Sequence, residues 1–399
     1  MLLKPCRGAA AVSVMVSLSF FALLTGCGGT PNTASTGGVT TPNPNPTPSP
    51  SPSPSTCPTV TVEMAAGPQT GVASFPKPAP TSPPNPGTTP AGSVCVSTPA
   101  DGATVSSPTH VYAQTTLQNI EHMRIYIDGK AQYFTFFNTA DALLWMSPGT
   151  HQLEVLATDK SGDEASATFS VNVQGGDPAP VTQIQAMPNW EPCSAKFPPG
   201  HPRAGQICAA GLGDAVSTMT ENQSTPSLSG KSAKLTIGGP TAYTNELYTK
   251  FLGGGSHPSR FTYDLYFMVD QPDRPQALEF DVNQAFDDVR WVFGTECNFK
   301  DTGKWDVWDG VKGWQPTSAP CKPFPANTWI HLVWEFERVG NQVHYISVTV
   351  DDQTYPLDLY YSNQPDWPME SIDVAFQMDG DSTQQPYTVW LDNVTLNAR

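Results

Sequence analysis

Charge is scarce in this 399-residue chain, and positive charge scarcest. Lys and Arg number 20 against 36 Asp and Glu, charged residues make up 14% of the total, and the formal net charge is −16. An acidic surface repels phosphate backbones and anionic head groups. That argues against nucleic acid as a partner and leaves neutral glycans, proteins and cations. A membrane-spanning run is also missing: the apolar stretch from Ala9 to Leu24 stops short of the roughly 20 residues that cross a bilayer. There is no Gly-x-Ser-x-Gly nucleophile elbow. The run Gly253-Gly254-Gly255 lacks the strand–helix setting of a phosphate loop. No Cys-x-x-Cys pair or His cluster offers a zinc site, and no helical periodicity runs through the C-terminal half.

What the N-terminus does carry is a short basic head, Lys4 and Arg7, then that apolar stretch, then Leu24-Thr25-Gly26-Cys27. Head, apolar core and small-residue cleavage site make a secretory signal. Ending in cysteine, it resembles the bacterial lipoprotein signal. The resemblance implies that residues 1–26 are removed and that Cys27 is lipidated. It places the chain in the bacterial cell envelope, outside the cytoplasm, at the outer membrane or cell surface, with the membrane as a partner through the lipid. Of the eight cysteines, Cys6 then leaves with the signal, and six remain in an oxidising compartment. Six allow 15 connectivities. Pairing sequence neighbours is the simplest scheme: Cys57–Cys95, Cys193–Cys208 and Cys297–Cys321.

Residues 27–92 are dominated by Pro, Ser, Thr, Gly and Asn. Such a stretch buries no core and favours extended polyproline conformations, so it reads as a disordered stalk. From 93 to 174 short apolar alternations appear: Val111 and Ala113; Met123, Ile125 and Ile127, closed by the turn signal Asp128-Gly129; Leu153, Val155 and Ala157; Ala167, Phe169, Val171 and Val173. About seven short strands in such a span predict a β-sandwich. The segments Thr98–Val105, Arg124–Gly129, Gly149–Leu153 and Ala157–Gly162 resemble a bacterial immunoglobulin-like domain, which implies a spacer or adhesion module. After a Gly-Asp-Pro linker, residues 181–399 form one β-rich block with prolines and glycines between its candidate strands. That pattern predicts a larger, jelly-roll sandwich. The class is all-β throughout.

The strand Ala277–Asn283 carries the chemistry. Leu278, Phe280 and Val282 alternate with Glu279, Asp281 and Asn283, and side chains on a strand alternate faces. The same split recurs around 330–337 and 372–379. If these strands share a sheet, its polar face presents Glu279, Asp281, Asn283, His331, Glu335, Asp373 and Gln377, a trough for a hydroxylated ligand. The pattern resembles the concanavalin A-like lectin and glucanase fold. In its laminarinase group the motif Glu-x-Asp-x-Glu supplies nucleophile, assisting aspartate and acid/base. This chain matches with Glu279 and Asp281 but puts Asn283 at the acid position, and Gln284 one further on. Neither amide can donate and recover a proton. No catalytic residue is therefore expected, and the enzyme alternative is an unorthodox Glu279–Asp281 pair, with Cα atoms about 6.6 Å apart along a strand.

Indoles add a second signal. Trp291 precedes, and Trp305, Trp308 and Trp314 lie within, a presumed loop between Cys297 and Cys321. Indoles stack on the apolar C–H faces of sugars. They also pack loops onto sheets, and the sequence leaves that choice open. The closing segment Val389–Leu396 resembles the last strand of carbohydrate-binding jelly rolls. That resemblance implies a structural calcium near Asp392, the one cofactor considered; none is required. The expected function is a cell-envelope lipoprotein presenting a non-catalytic glycan-binding jelly roll. A glycoside hydrolase or lyase, and a purely structural or adhesive protein, are the alternatives.

Overall fold

The computed structural model describes residues 57, 92–192, 216–238, 245–255, 258–365, 370–380 and 385–399. The signal, the lipidation site Cys27, the stalk except Cys57, and the Cys193–Cys208 pair lie outside them. Strand is the dominant regular structure of the described residues, joined by a single short 3-10 turn at Ile184–Ala186, and all of them fall within one compact unit, Pro52–Arg399.

The first sandwich pairs two sheets. One holds Val94–Thr98, Thr109–Thr115 and Thr139–Leu144. The other runs Ala103–Val105, Glu164–Val173, Gly149–Asp159, Ile120–Ile127, Lys130–Thr135. Its core follows the period-two alternation: Val111, Ala113, Met123, Ile125, Leu153, Val155 and Val171 are buried together. Asp128 and Gly129 both have positive φ, 50° and 82°. Asp-Gly favours such a two-residue hairpin turn, because its twist matches the flanking strands. Cys57 and Cys95 are bridged, with Cα atoms 5.7 Å apart.

The second sandwich is larger. A seven-stranded sheet runs Val216–Gln223, Ser232–Gly238, Tyr387–Ala398, Arg260–Val269, Ile330–Val339, Gln342–Val350, Gln353–Ser362. Facing it, a nine-stranded sheet has the main path Gly313–Pro320, Lys304–Asp309, Thr295–Asn298, Ala277–Phe286, Ser371–Asp379, Asn245–Gly253, Glu191–Pro192. The main-path pairings in both sheets are antiparallel. Phe280 meets Phe267 and Phe376 at 5.0 and 5.2 Å between ring centroids, while Trp334 lies 5.6 Å from Trp305. Each such large buried side chain contributes roughly 1.5–3 kcal/mol of burial.

Two expectations change here. The strands around 279 and 372 share a sheet, but Ile330–Val339 lies in the opposite one. The segment read as a tryptophan loop between Cys297 and Cys321 is a β-hairpin. Trp305 and Val307 point into the core, and Asp309 accepts the N–H groups of Val311 and Lys312 to close the turn. The bridge Cys297–Cys321, Cα atoms 5.5 Å apart, ties the base of that hairpin.

Candidate functional site

The central strand of the nine-stranded sheet sets the site. Leu278, Phe280 and Val282 are fully buried in the core, so the pleat turns Glu279, Asp281 and Asn283 to the outer face. Register then extends a polar row across four strands. Gln377 pairs with Glu279, Glu279 with Glu296, and Glu296 with Asp306. Asp379 stands beside this row, opposite Asn245.

Here the outer face opens into a hollow of about 490 Å³. Glu279, Glu296, Asp306, Gln377 and Asp379 line it together with Asn245, Asn298 and the indole of Trp314. Gln377 donates from Nε2 to Glu279 Oε1 and to Asp379 Oδ1. Asn298 donates from Nδ2 to Glu296 Oε1 at 3.0 Å and Asp306 Oδ2 at 3.3 Å. Thr302 Oγ1 donates to Asp306 at 2.9 Å. Trp314 meets Trp308 edge to face, ring centroids 5.2 Å apart, directly across the hairpin.

The rest of the outer face is packed. Asp281 accepts the Thr295 N–H at 2.9 Å. Asn283 Nδ2 donates to the fully buried Asp373 at 2.8 Å, which Ser371 Oγ also donates to and the Arg290 guanidinium flanks at 3.7 Å. The hollow's lining includes Glu279 but neither Asp281 nor Asn283.

Several expected site residues stand elsewhere. His331 and Glu335 sit on the outer face of the other sheet. There His331 stacks on Tyr266 and bonds Asp264 at 2.8 Å, and Glu335 accepts from Ser347. Trp291 is buried, stacked on Phe286, and donates to the Gly340 carbonyl. Trp305 is wholly interior, and Trp308 is half-buried beneath Trp314. Strand alternation decides these placements: within 304–309, the odd positions 305 and 307 face the core, and Asp306 and Trp308 face out. Asp392 is fully buried. Its carboxylate takes hydrogen bonds from Ser227 Oγ, Ser229 Oγ and the N–H groups of Leu228 and Ser229, as well as from Gln185. These donors fill the lone pairs a cation would need, so Asp392 ties down the loop at 227–229. Glu191, the other carboxylate near the start of this block, lies in the opposite sheet.

Sequence reasoning missed Glu296, Asp306 and Trp314's separate place from the other indoles. The signal was present in Thr295-Glu296-Cys297-Asn298, an alternation of its own; the cysteine made it read as a loop boundary.

Like carboxylates opposite one another on adjacent strands repel, and burial disfavours their charge. Burial, with Asp379 adding to it, pushes Glu279 well above the ordinary range. Glu296 rises to about 8 through burial and Asp379. Burial likewise lifts Asp379 to about 7, against the hydrogen bonds of Gln377 and Asn245, and raises Asp306. Near neutrality this row holds protons and both donates and accepts hydrogen bonds. Glu279, Glu296 and Asp379 offer carboxylate oxygens within 4.8 Å of one another, the one such trio of potential metal ligands among the described residues. Three oxygens alone fall short of calcium's six to eight.

Neither a protein-family model nor a curated protein sequence matches the chain. Among solved structures, a lectin complexed with galactose aligns with 56% of this chain and 100% of its own, at 11% identity and a TM-score of 0.33. An alginate lyase mutant in complex with alginate trisaccharide covers 46% of this chain and 88% of its own, at 7% identity and 0.31. A study of carbohydrate-binding modules from the β-sandwich superfamily contributes a third, covering 76% and 97%, at 11% identity and 0.29. Likenesses of this size carry no argument about ligand or activity.

The raised pKa values fix a pH dependence. In the unfolded chain these carboxyls lose their protons near pH 4; in the fold Asp379 keeps its proton to about 7 and Glu296 to about 8. Their contribution is full below about pH 4 and is lost as pH rises through the folded values. Urea melts between pH 4.5 and 9 should show stability falling by a few kcal/mol, and Glu296→Gln should flatten the fall. A flat wild-type profile would contradict the shared-proton row.

Proposed function

We propose that the hollow on the nine-stranded sheet binds a glycan. One observation carries the reading: an indole, Trp314, stands at a cavity whose walls also carry a row of amides and carboxyls. A pyranose offers the complement, an apolar C–H face for the ring and hydroxyls that both donate and accept. Protonated carboxyls and the amides of Asn245, Asn298 and Gln377 meet those hydroxyls without asking for a charged ligand. The acidic surface of the chain likewise favours a neutral sugar.

Around this module we place the rest of the chain as its presentation: a lipid on Cys27 in the envelope membrane, a proline-rich stalk, and the first sandwich. Nucleic acid has no part in this reading. A bacterial expression test addresses the anchor. Cys27→Ser should abolish metabolic labelling by palmitate and move the protein from the membrane to the soluble fraction; an unchanged distribution would remove the anchor.

A second reading rests on the Glu279–Glu296 pairing. Their carboxyls lie within the 4.8 Å trio, close to the roughly 5–5.5 Å separation of retaining glycosidases. Glu296, not Asp281, is then the partner of Glu279. The high pKa of Glu296 keeps the proton a leaving oxygen needs, and the pair acts only where Glu279, itself raised by burial, has lost its own. New reducing ends that vanish in both Glu279→Gln and Glu296→Gln would establish hydrolysis, while unaltered glycan would leave binding alone.

Binding itself is tested by migration in gels containing soluble polysaccharides. Retardation should fall about tenfold in Trp314→Ala and stay in His331→Ala, since His331 lies on the other sheet. No retardation on a broad panel, or retardation that Trp314→Ala leaves intact, would count against the site.

A further inference from the structure

A second cavity, of about 280 Å³, lies at the seam between the two sandwiches. Its sides come from both: His110 and Asp141 from the first, Met187, Lys250 and Phe251 from the second, with Leu143 across from them. The seam is tight. A methyl group added at Gly253 would stand 1.7 Å from the Leu143 carbonyl oxygen, and one at Gly254 would stand 1.7 Å from that of Gln132. Trp145 donates its N–H to the Gly254 carbonyl at 3.1 Å and belongs to the second sandwich's core. The run Gly253-Gly254-Gly255 is therefore glycine because another backbone lies against it. This contact holds the cavity's walls in place before any ligand arrives, which lowers the ordering cost of binding.

The chemistry of the walls defines the occupant. Lys250 is 8% exposed and donates from Nζ to the Pro188 carbonyl at 2.8 Å. An ammonium has three donors, so among the described residues two remain for a ligand. Asp141 supplies an acceptor carboxylate and holds His110 Nε2 at 2.7 Å. Lys250 and Asp141 cancel in charge, with Glu191 and Glu221 adding further negative potential around the lysine. An anionic ligand gains nothing there. Phe251, Met187 and Leu143 present apolar surface. Donor, acceptor and apolar wall, with no surplus of positive charge, suit a small molecule with hydroxyl edges and a C–H face.

We infer that this seam cavity is a second, monosaccharide-sized sugar site, built jointly by the two sandwiches and independent of the hollow at Trp314. It makes the first sandwich a participant in binding rather than a spacer.

Saturation-transfer NMR on the full chain, titrated with free glucose, galactose, mannose and N-acetylglucosamine, reads it directly. At least one sugar should receive saturation that Trp314→Ala leaves unchanged and that weakens about tenfold in Lys250→Met. Asp141 is partly exposed, so Asp141→Asn gives a second variant that does not disturb the packed lysine stem; it should weaken the same sugar. Wild-type thermal melting of each variant certifies the fold. Signal that disappears in Trp314→Ala overturns the seam site, as does signal that survives both Lys250→Met and Asp141→Asn. A panel in which no sugar depends on either residue overturns it too. Binding lost only in Trp314→Ala would leave the first proposal standing and this one refuted.

Discussion

The pleat of one strand governs this protein. Ala277–Phe286 lies at the centre of the nine-stranded sheet, and three of its side chains, Leu278, Phe280 and Val282, are locked into the aromatic layer between the sheets. A one-residue slip would exchange core and surface along its whole length. Burial of those apolar groups therefore fixes Glu279 in the outer row, although like carboxylates opposite it are unfavourable. The cluster is tolerated because its members retain protons and because Asn298, Thr302 and Gln377 satisfy their oxygens.

A division of the outer face follows from the neighbours. Around Asp373 and Asn283 the polar groups are buried and bonded to one another; around Glu279, Glu296 and Asp306 they line a hollow. The difference lies in what stands beside each set. Asp281 receives a backbone N–H from Thr295, and Asp373 is flanked by a guanidinium. The carboxyls of the hollow meet amides, a hydroxyl and one another. A lined, open site results at one end of a sheet whose other end is packed.

The two sandwiches are joined by backbone contact as well as by the linker. The linker residue Ala179 donates to Ser107, and Val181 exchanges hydrogen bonds with Leu396. The glycine run at 253–255 then lets the sandwiches approach to a distance no side chain allows. Residues from one half thus come into register with residues of the other, which is the physical basis for a cavity shared between them.

Much of the architecture was legible in the chain itself. Period-two alternation located the core faces at 123–127, 153–157, 278–282 and 372–378, and Asp128-Gly129 announced its hairpin. These are local properties: side-chain direction and turn conformation depend on a few neighbouring residues. Sheet membership is not local. Alternation around 330 is the same whether that strand lies beside 279 or across the core from it, so His331 and Glu335 were assigned to a face they do not share. Likewise Trp305 and Trp308 look alike in sequence, and only hairpin pairing sends one inward and the other out. The sequence by itself determined that this is an all-β chain with acidic, amide-rich strand faces. The tertiary structure alone decided that Glu296, Asp306 and Trp314 join Glu279 around one hollow, because strand pairing brings together residues that no spacing along the chain relates.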